Sequence, residues 1–158
     1  MSLSIRAATP TDVPELLGLI RELAAYERLA EQVVASEGQL AAALFGPRPA
    51  AEALLAELDG APVGFALYFQ NFSTFLGRPG LYLEDLFVRP AARRRGVGRA
   101  LFVELARLAQ ARGCGRFEWT VLDWNEPAIA FYRGLGAQPL SDWTVFRLSG
   151  EALARAAR

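Results

Sequence analysis

The chain has 158 residues, enough for one sizeable core but not for two ordinary domains, so a single domain over residues 1–158 is expected. Its 17 basic and 17 acidic residues cancel, and without a long basic stripe a nucleic-acid partner is not expected. With no histidine, and with arginine as its only basic residue, the chain excludes imidazole bases, histidine-bound metals and lysine Schiff bases, leaving Asp, Glu, Tyr, Cys, a terminus or water for proton transfer.

Leu3 to Ala7 is expected to form a first strand. Thr9-Pro10-Thr11-Asp12 reads as a helix start, with Thr9 as N-cap, Pro10 at the first helical position and Asp12 able to reach back. Val13, Leu16, Leu17, Ile20, Leu23 and Ala24 follow at helical spacing, a stripe that packs on a sheet. Tyr26 and Glu27 close this helix. Alone, they read equally well as a packed helix end with a solvated charge or as part of a site. Ser36-Glu37-Gly38-Gln39 is a second capping box, opening a short helix with Leu40, Leu44 and Phe45 inward, and Gly46-Pro47-Arg48-Pro49 stops it.

Ala53 to Leu58 and Val63 to Gln70 flank Asp59-Gly60-Ala61-Pro62, a hairpin signal. Asn71 to Gly80 reads as a loop punctuated by Gly and Pro. Its Phe72 and Phe75 fit a pocket wall, a dimer contact or ordinary packing. The central strand is expected over Leu81 to Val88. Glu84 and Asp85 are neighbours on it, and strand alternation sends them to opposite sides.

Between that strand and the next helix lies Arg93-Arg94-Arg95-Gly96-Val97-Gly98-Arg99. Gly96 and Gly98 lack a Cβ, so the backbone can take positive φ and turn several N–H groups toward one point. Those amides, the positive end of the following helix and four guanidinium groups all suit a phosphorylated ligand. Gly-x-Gly alone is equally a tight strand-to-helix turn, and the arginines alone a solvated face.

The helix is expected from Val97 to Arg112, with its apolar stripe at Leu101, Phe102, Leu105 and Leu108, before a turn at Gly113 to Gly115. Cys114 in that turn is the only cysteine, so no internal disulfide is possible, and no metal-site spacing occurs. No apolar run is long enough to span a bilayer and no basic, apolar leader opens the chain, so a cytoplasmic protein away from membranes is expected. Phe117 to Leu122 reads as the next strand. Trp124-Asn125-Glu126-Pro127 starts another helix, with Pro127 at its first position and Asn125 or Glu126 as cap. Tyr132 falls on that helix, and Gly134 to Ala137 ends it. Gln138 to Leu140 and Trp143 to Leu148 read as two short strands, followed by an amphipathic tail from Ser149 to Arg158.

These elements alternate as an α/β architecture with a mixed sheet. A doubly wound dinucleotide fold is excluded, because no Gly-x-Gly-x-x-Gly follows the first strand.

Arg93-x-x-Gly96-x-Gly98, after a Pro-ended strand and before an amphipathic helix, resembles the acetyl-CoA pyrophosphate loop of the GNAT superfamily of N-acetyltransferases. Tyr82-Leu83-Glu84-Asp85-Leu86-Phe87-Val88 and Trp124-Asn125-Glu126-Pro127-Ala128-Ile129-Ala130-Phe131-Tyr132 resemble two signature blocks of its spermidine/spermine branch, which includes thialysine acetyltransferases. The likeness runs from about Ile5 to about Leu148 and includes Arg21 to Glu27.

The resemblance implies a mixed, mostly antiparallel central sheet with helices on both faces, acetyl-CoA as cosubstrate, no metal and a homodimer formed partly through Trp143 to Leu148. It implies that a bulge near Leu86 to Val88 splays the central strand, so that the backbone of Leu86, Phe87 and Val88 holds the pantetheine arm and thioester. Arg93, Arg94, Arg95, Gly96, Val97, Gly98 and Arg99 would take the pyrophosphate, and Asn125, Glu126, Pro127 and Ala128 would also contact the coenzyme. By the same match Glu84 removes the amine proton through water, Tyr132 protonates the departing thiolate, and Tyr26, Glu27, Glu84, Phe75 and Asp142 border the acceptor. Acetyl transfer is then a direct attack by a small primary amine.

Polyamine-acetylating members line the acceptor site with carboxylates. Here Ser73, Phe75 and Ala30 stand at positions where the branch has an aspartate, a tryptophan and an acidic residue. A shorter amine or an amino acid such as thialysine is therefore expected to compete with spermidine. Two other activities remain open at this level: acetylation of peptide amino groups, and a catalytically silent acetyl-CoA-binding module. Retention of Glu84 and Tyr132 favours an enzyme over the silent module.

Overall fold

In the computed structural model, which describes residues 2–158, one sheet runs in the order β1 (Leu3–Ala7), β2 (Glu52–Leu58), β3 (Ala61–Ser73), β4 (Arg78–Val88), β5 (Phe117–Trp119). The first four strands are antiparallel to their neighbours and β5 is parallel to β4, so the sheet is mixed and mostly antiparallel. Asp59 (φ 51°) and Gly60 (φ 83°) supply the two left-handed positions of the β2–β3 hairpin.

The stretch from Asn71 to Gly80, expected to be a loop, is mostly strand, because β3 and β4 continue to a turn over residues 74–77. Local chemistry accounts for the extension. Ser73 is buried, and its Oγ accepts the Leu76 N–H at 3.2 Å. Gly77 (φ 64°) then closes the turn and lets Asn71 pair with Gly80.

Three helices cover the two faces. On one face lie α1 (Val13–Tyr26) and α2 (Glu37–Phe45), and on the other α3 (Val97–Ala111). Strand alternation divides β2 between them, with Leu54 and Ala56 packing in the core of α3 and Ala53 and Leu55 in that of α1. A strand covered on both faces has no need of polar positions, which explains the continuous apolar run. Leu101 and Leu105 of α3 are wholly buried, each worth roughly 1.5–3 kcal/mol on transfer from water.

Both capping boxes form. Thr9 N–H donates to Asp12 Oδ2 at 2.7 Å, although the first turn over Pro10–Asp12 is 3-10 and α1 begins only at Val13. Ser36 Oγ accepts the Gln39 N–H at 3.1 Å, while Gln39 Oε1 accepts the Ser36 N–H at 2.9 Å. Arg89, just past β4, binds Glu22 through Nε and Nη2, Glu15 through Nη2 at 2.8 Å and the Pro62 carbonyl through Nη1 at 2.8 Å. One guanidinium thus ties the end of β4 to α1 and to the start of β3.

The chain forms two compact units, the larger ending at Thr120 and the smaller running from Val121 to Arg158. The smaller contains α4 (Glu126–Gly134) and α5 (Gly150–Ala156). The two strands expected over Gln138 to Leu140 and Trp143 to Leu148 do not form. That segment is irregular, with Leu140, Trp143, Val145, Phe146 and Leu148 between 59% and 91% exposed. A strand exists only by pairing, and no ladder partner faces these residues among those described. Likewise β5 ends at Trp119 rather than Leu122, where its pairing with β4 stops. No helix among the described residues is long and apolar enough to cross a membrane.

Candidate active site

The irregularity of β4 lies at Glu84. Leu67 pairs with Asp85 but Tyr68 pairs with Leu83, so Glu84 is the extra residue of a bulge against β3. This places the bulge earlier than the expected Leu86 to Val88. It also breaks strand alternation. Leu83 packs in the α3 core, whereas Phe87 packs with Leu67 and Phe65 in the α1 core, on the face that Asp85 shares. Glu84 and Asp85 are therefore not separated to opposite sides as regular alternation requires, and the Glu84 charge acts on Asp85. On the other edge, pairing with β5 covers only Leu81 to Leu83 among the described residues. A bulge is present, but at Glu84, and Leu86 to Val88 stay regularly paired with β3.

Asp85 is the carboxyl that this arrangement perturbs most. Burial pushes it up to about 7, and the charges of Glu84 and Glu27 push in the same direction. Glu27 follows α1 and is itself raised by burial. Three carboxyl groups from two elements thus meet at the bulge. Asp85 was missed from sequence, where Glu84 carried the family match. The available signal was the adjacent carboxyl pair, but its meaning depends on a bulge that sequence spacing does not encode.

Beyond Val88, a 3-10 turn over Pro90–Ala92 leads to the glycine turn. Arg94 (φ 64°) and Gly96 (φ 79°) are both left-handed, and a Cβ added at Gly96 would meet nothing within 4 Å. Gly96 is the N-cap of α3, and no side chain caps that helix. The first amides of a helix have no intrahelical acceptor, and without a capping side chain at Gly96 this end fits an anionic group such as a pyrophosphate. Arg94, Arg95 and Arg99 are exposed around this turn. Arg93 is used differently. Its Nε donates to the Val88 carbonyl at 2.9 Å, and its guanidinium carbon lies 5.0 Å from the Tyr26 ring centroid and 5.7 Å from that of Phe87. Phe87 and Val88 are buried and Leu86 is partly buried against the α3 core, which leaves the backbone of these three as the part suited to a ligand.

The larger unit therefore brings together Tyr26, Glu27, Glu84, Phe87 and Arg93 of the expected set, and adds Asp85. Phe75 is not brought to them. It is fully exposed in the turn after β3, and Glu84 lies about seven residues along β4 from that turn, roughly 20 Å. Ser73, which stands where the branch has an aspartate, holds the same turn. In the smaller unit, Asn125 is buried and caps α4, its Oδ1 accepting the Ala128 N–H at 3.4 Å, with Glu126 and Pro127 exposed in the first turn. Tyr132 lies on α4 with its ring 5.5 Å from that of Phe131, and Asp142 is exposed in the irregular segment. Among the described residues no group of His, Cys, Asp and Glu could hold a metal ion.

Residues 20–137 match the Acetyltransferase (GNAT) family. The chain is 42% identical to the thialysine N-epsilon-acetyltransferase of Bos taurus, an alignment covering 94% of each chain. It is 36% identical to the L-ornithine N5-acetyltransferase of Arabidopsis thaliana, over 94% of this chain and 85% of that one. A solved integron cassette protein from the mobile metagenome of V. cholerae superposes with a TM-score of 0.84 at 30% identity, covering 100% of this chain and 99% of the other. A match of this extent, on a sheet whose bulged fourth strand leads into an uncapped glycine turn, makes this chain a member of the GNAT acetyltransferase family.

Proposed function

We propose that the protein transfers acetyl from acetyl-CoA to a primary amine of a small amino acid resembling thialysine or ornithine, as a cytoplasmic homodimer. The observation that carries this reading is the pairing of two features on one stretch of β4. A carboxyl titrating near neutrality sits at the bulge, and a turn suited to phosphate follows the far end. The names of the two curated relatives, both amino-acid acetyltransferases, support the acceptor class.

An alkylamine with a pKa near ~10 is mostly protonated at pH 7, so a proton must leave before attack. In this reading Glu84, with Asp85 beside it, accepts that proton through one or two waters. Acetyl-CoA supplies the activated acyl group. The backbone of Leu86 to Val88 orients the thioester and polarises its carbonyl, the amides of Gly96 to Arg99 hold the pyrophosphate with Arg94, Arg95 and Arg99, and residues 125–128 add coenzyme contacts. Tyr132 donates a proton to the departing sulfur. No covalent enzyme intermediate is needed. Dimerisation through Trp143 to Leu148 is supported by the exposure of that apolar segment.

The test is release of free coenzyme A from acetyl-CoA against thialysine, ornithine, lysine, putrescine, spermidine and a basic peptide. Turnover is expected on the amino acids, reduced at least about 100-fold by Tyr132→Phe. Preference for spermidine would overturn the acceptor assignment, and preference for the peptide would overturn the small-molecule reading.

A further inference from the structure

Arg93 opens the glycine turn, and although the residue is exposed its side chain reaches back to the end of β4. Its Nε–H donates to the Val88 carbonyl at 2.9 Å, and its N–H donates to the Pro90 carbonyl at 3.2 Å. The guanidinium carbon lies over two aromatic rings, Phe87 of β4 and Tyr26, the last residue of α1. Phe87 is 5% exposed and anchored in the α1 core, so one wall of this clamp is fixed. Immediately after Arg93, two of the next three residues adopt left-handed backbone, Arg94 being one of them despite its Cβ. Such a turn holds its shape only when its surroundings determine it. Arg93 is the side chain at the start of the turn with that function.

Tyr26 also precedes Glu27, whose charge reaches Asp85 at the bulge. The support for the coenzyme turn and the acidic group at the acceptor side are therefore consecutive residues. We infer that Arg93 is a positioning residue, a strut that fixes the phosphate-holding turn to the end of α1 through Tyr26, rather than a direct phosphate ligand. This rests on the acetyl-CoA reading above only for its consequence in binding. The mechanical part stands on the protein alone.

The experiment has two arms and four variants: Tyr26→Leu, Tyr26→Phe, Arg93→Gln and the Tyr26→Leu/Arg93→Gln double variant. In coenzyme-free protein, backbone order parameters of Arg94, Arg95 and Gly96 are measured by NMR relaxation. They are expected to fall from about 0.85 to below about 0.6 in Tyr26→Leu and in Arg93→Gln, with Tyr26→Phe retaining order because it keeps the ring. In the second arm, the dissociation constant of free coenzyme A is measured across salt concentrations. Tyr26→Leu and Arg93→Gln are each expected to weaken binding about five-fold, the size of one exposed cation–π contact, and the double variant no further than the weaker single. The salt dependence should stay as steep as in the wild type, because no phosphate contact has been removed.

Turn order and coenzyme affinity that are unchanged in Tyr26→Leu would overturn the strut. So would an Arg93→Gln variant that flattens the salt dependence, which is the behaviour of a phosphate ligand. Failure of the wild type to bind coenzyme A would overturn the functional reading instead, since the order parameters are recorded without coenzyme and judge the strut independently.

Discussion

Asp85 gives the site a pH signature of its own. Its carboxyl titrates near 7 in the folded protein, against 3.8 for an ordinary aspartate, so the unfolded chain releases this proton first. Between about pH 4 and pH 7 the native state holds the extra proton, and stability from this group declines as pH rises through that window. Above about 7 the loss is complete. Asp85→Asn removes the buried charge and should raise the melting temperature at pH 8 while leaving it nearly unchanged at pH 4, read by thermal denaturation at both values. The same substitution should lower kcat/KM at least about tenfold at pH 8 and abolish the rise in activity near pH 7. An unaltered pH–rate profile would show that Asp85 takes no part in proton removal. At this scale the sequence was only half legible. Glu84, Gly96 and Tyr132 stand in motif positions and can be found by matching. The importance of Asp85 comes from a skipped register between Leu67 and Tyr68, and the placement of the Arg93 side chain comes from packing against Tyr26 and Phe87.

Elements were most legible where their ends are written in local chemistry. Ser36 and Gln39 cap α2 as their spacing requires, and Asp59-Gly60 makes the β2–β3 hairpin. Element limits were least legible where pairing decides them. Ser73 and Gly77 carry β3 and β4 through a stretch with loop composition, while Trp143 to Leu148, with strand composition, pairs with no strand among the described residues. The joint between β4 and α1 is also a tertiary matter, made by Arg89. Arg89→Ala would leave Glu15, Glu22 and the Pro62 carbonyl without this donor. Because the carboxylates are about 40% exposed and can hydrate, a loss of about 1–2 kcal/mol is expected rather than the larger cost of a buried pair. For a chain of this size that is a melting-point drop of roughly 3–8 °C. Arg89→Lys should recover little of it, since an ammonium cannot reproduce the fork.

At the scale of the whole molecule, family and sheet architecture were readable from sequence because the motifs span most of the chain and the element order admits few topologies. Assembly was not readable in the same way, because an apolar strand reads alike whether it meets its own sheet or another subunit. If the exposed segment from Trp143 to Leu148 is an interface, light scattering should give about 34 kDa, twice the 17.2 kDa of the chain. A Phe146→Asp variant should then shift to the monomer mass. A wild type that is monomeric at micromolar concentration would remove the interface.

The ion pairs described for this protein share one trait: each cation is a guanidinium. Arg6 binds Asp12 and Glu57, Arg89 binds Glu15 and Glu22, and Arg112 binds Glu52. An enzyme that spends its working life beside an activated acetyl thioester exposes its own amines to the same donor. An ammonium at any of these positions would be a competing acceptor, and its modification would cancel the charge that holds the contact. A guanidinium stays protonated and does not acylate under those conditions. With no lysine anywhere in the sequence, none of these joints offers an ammonium to that reagent, and each keeps its charge.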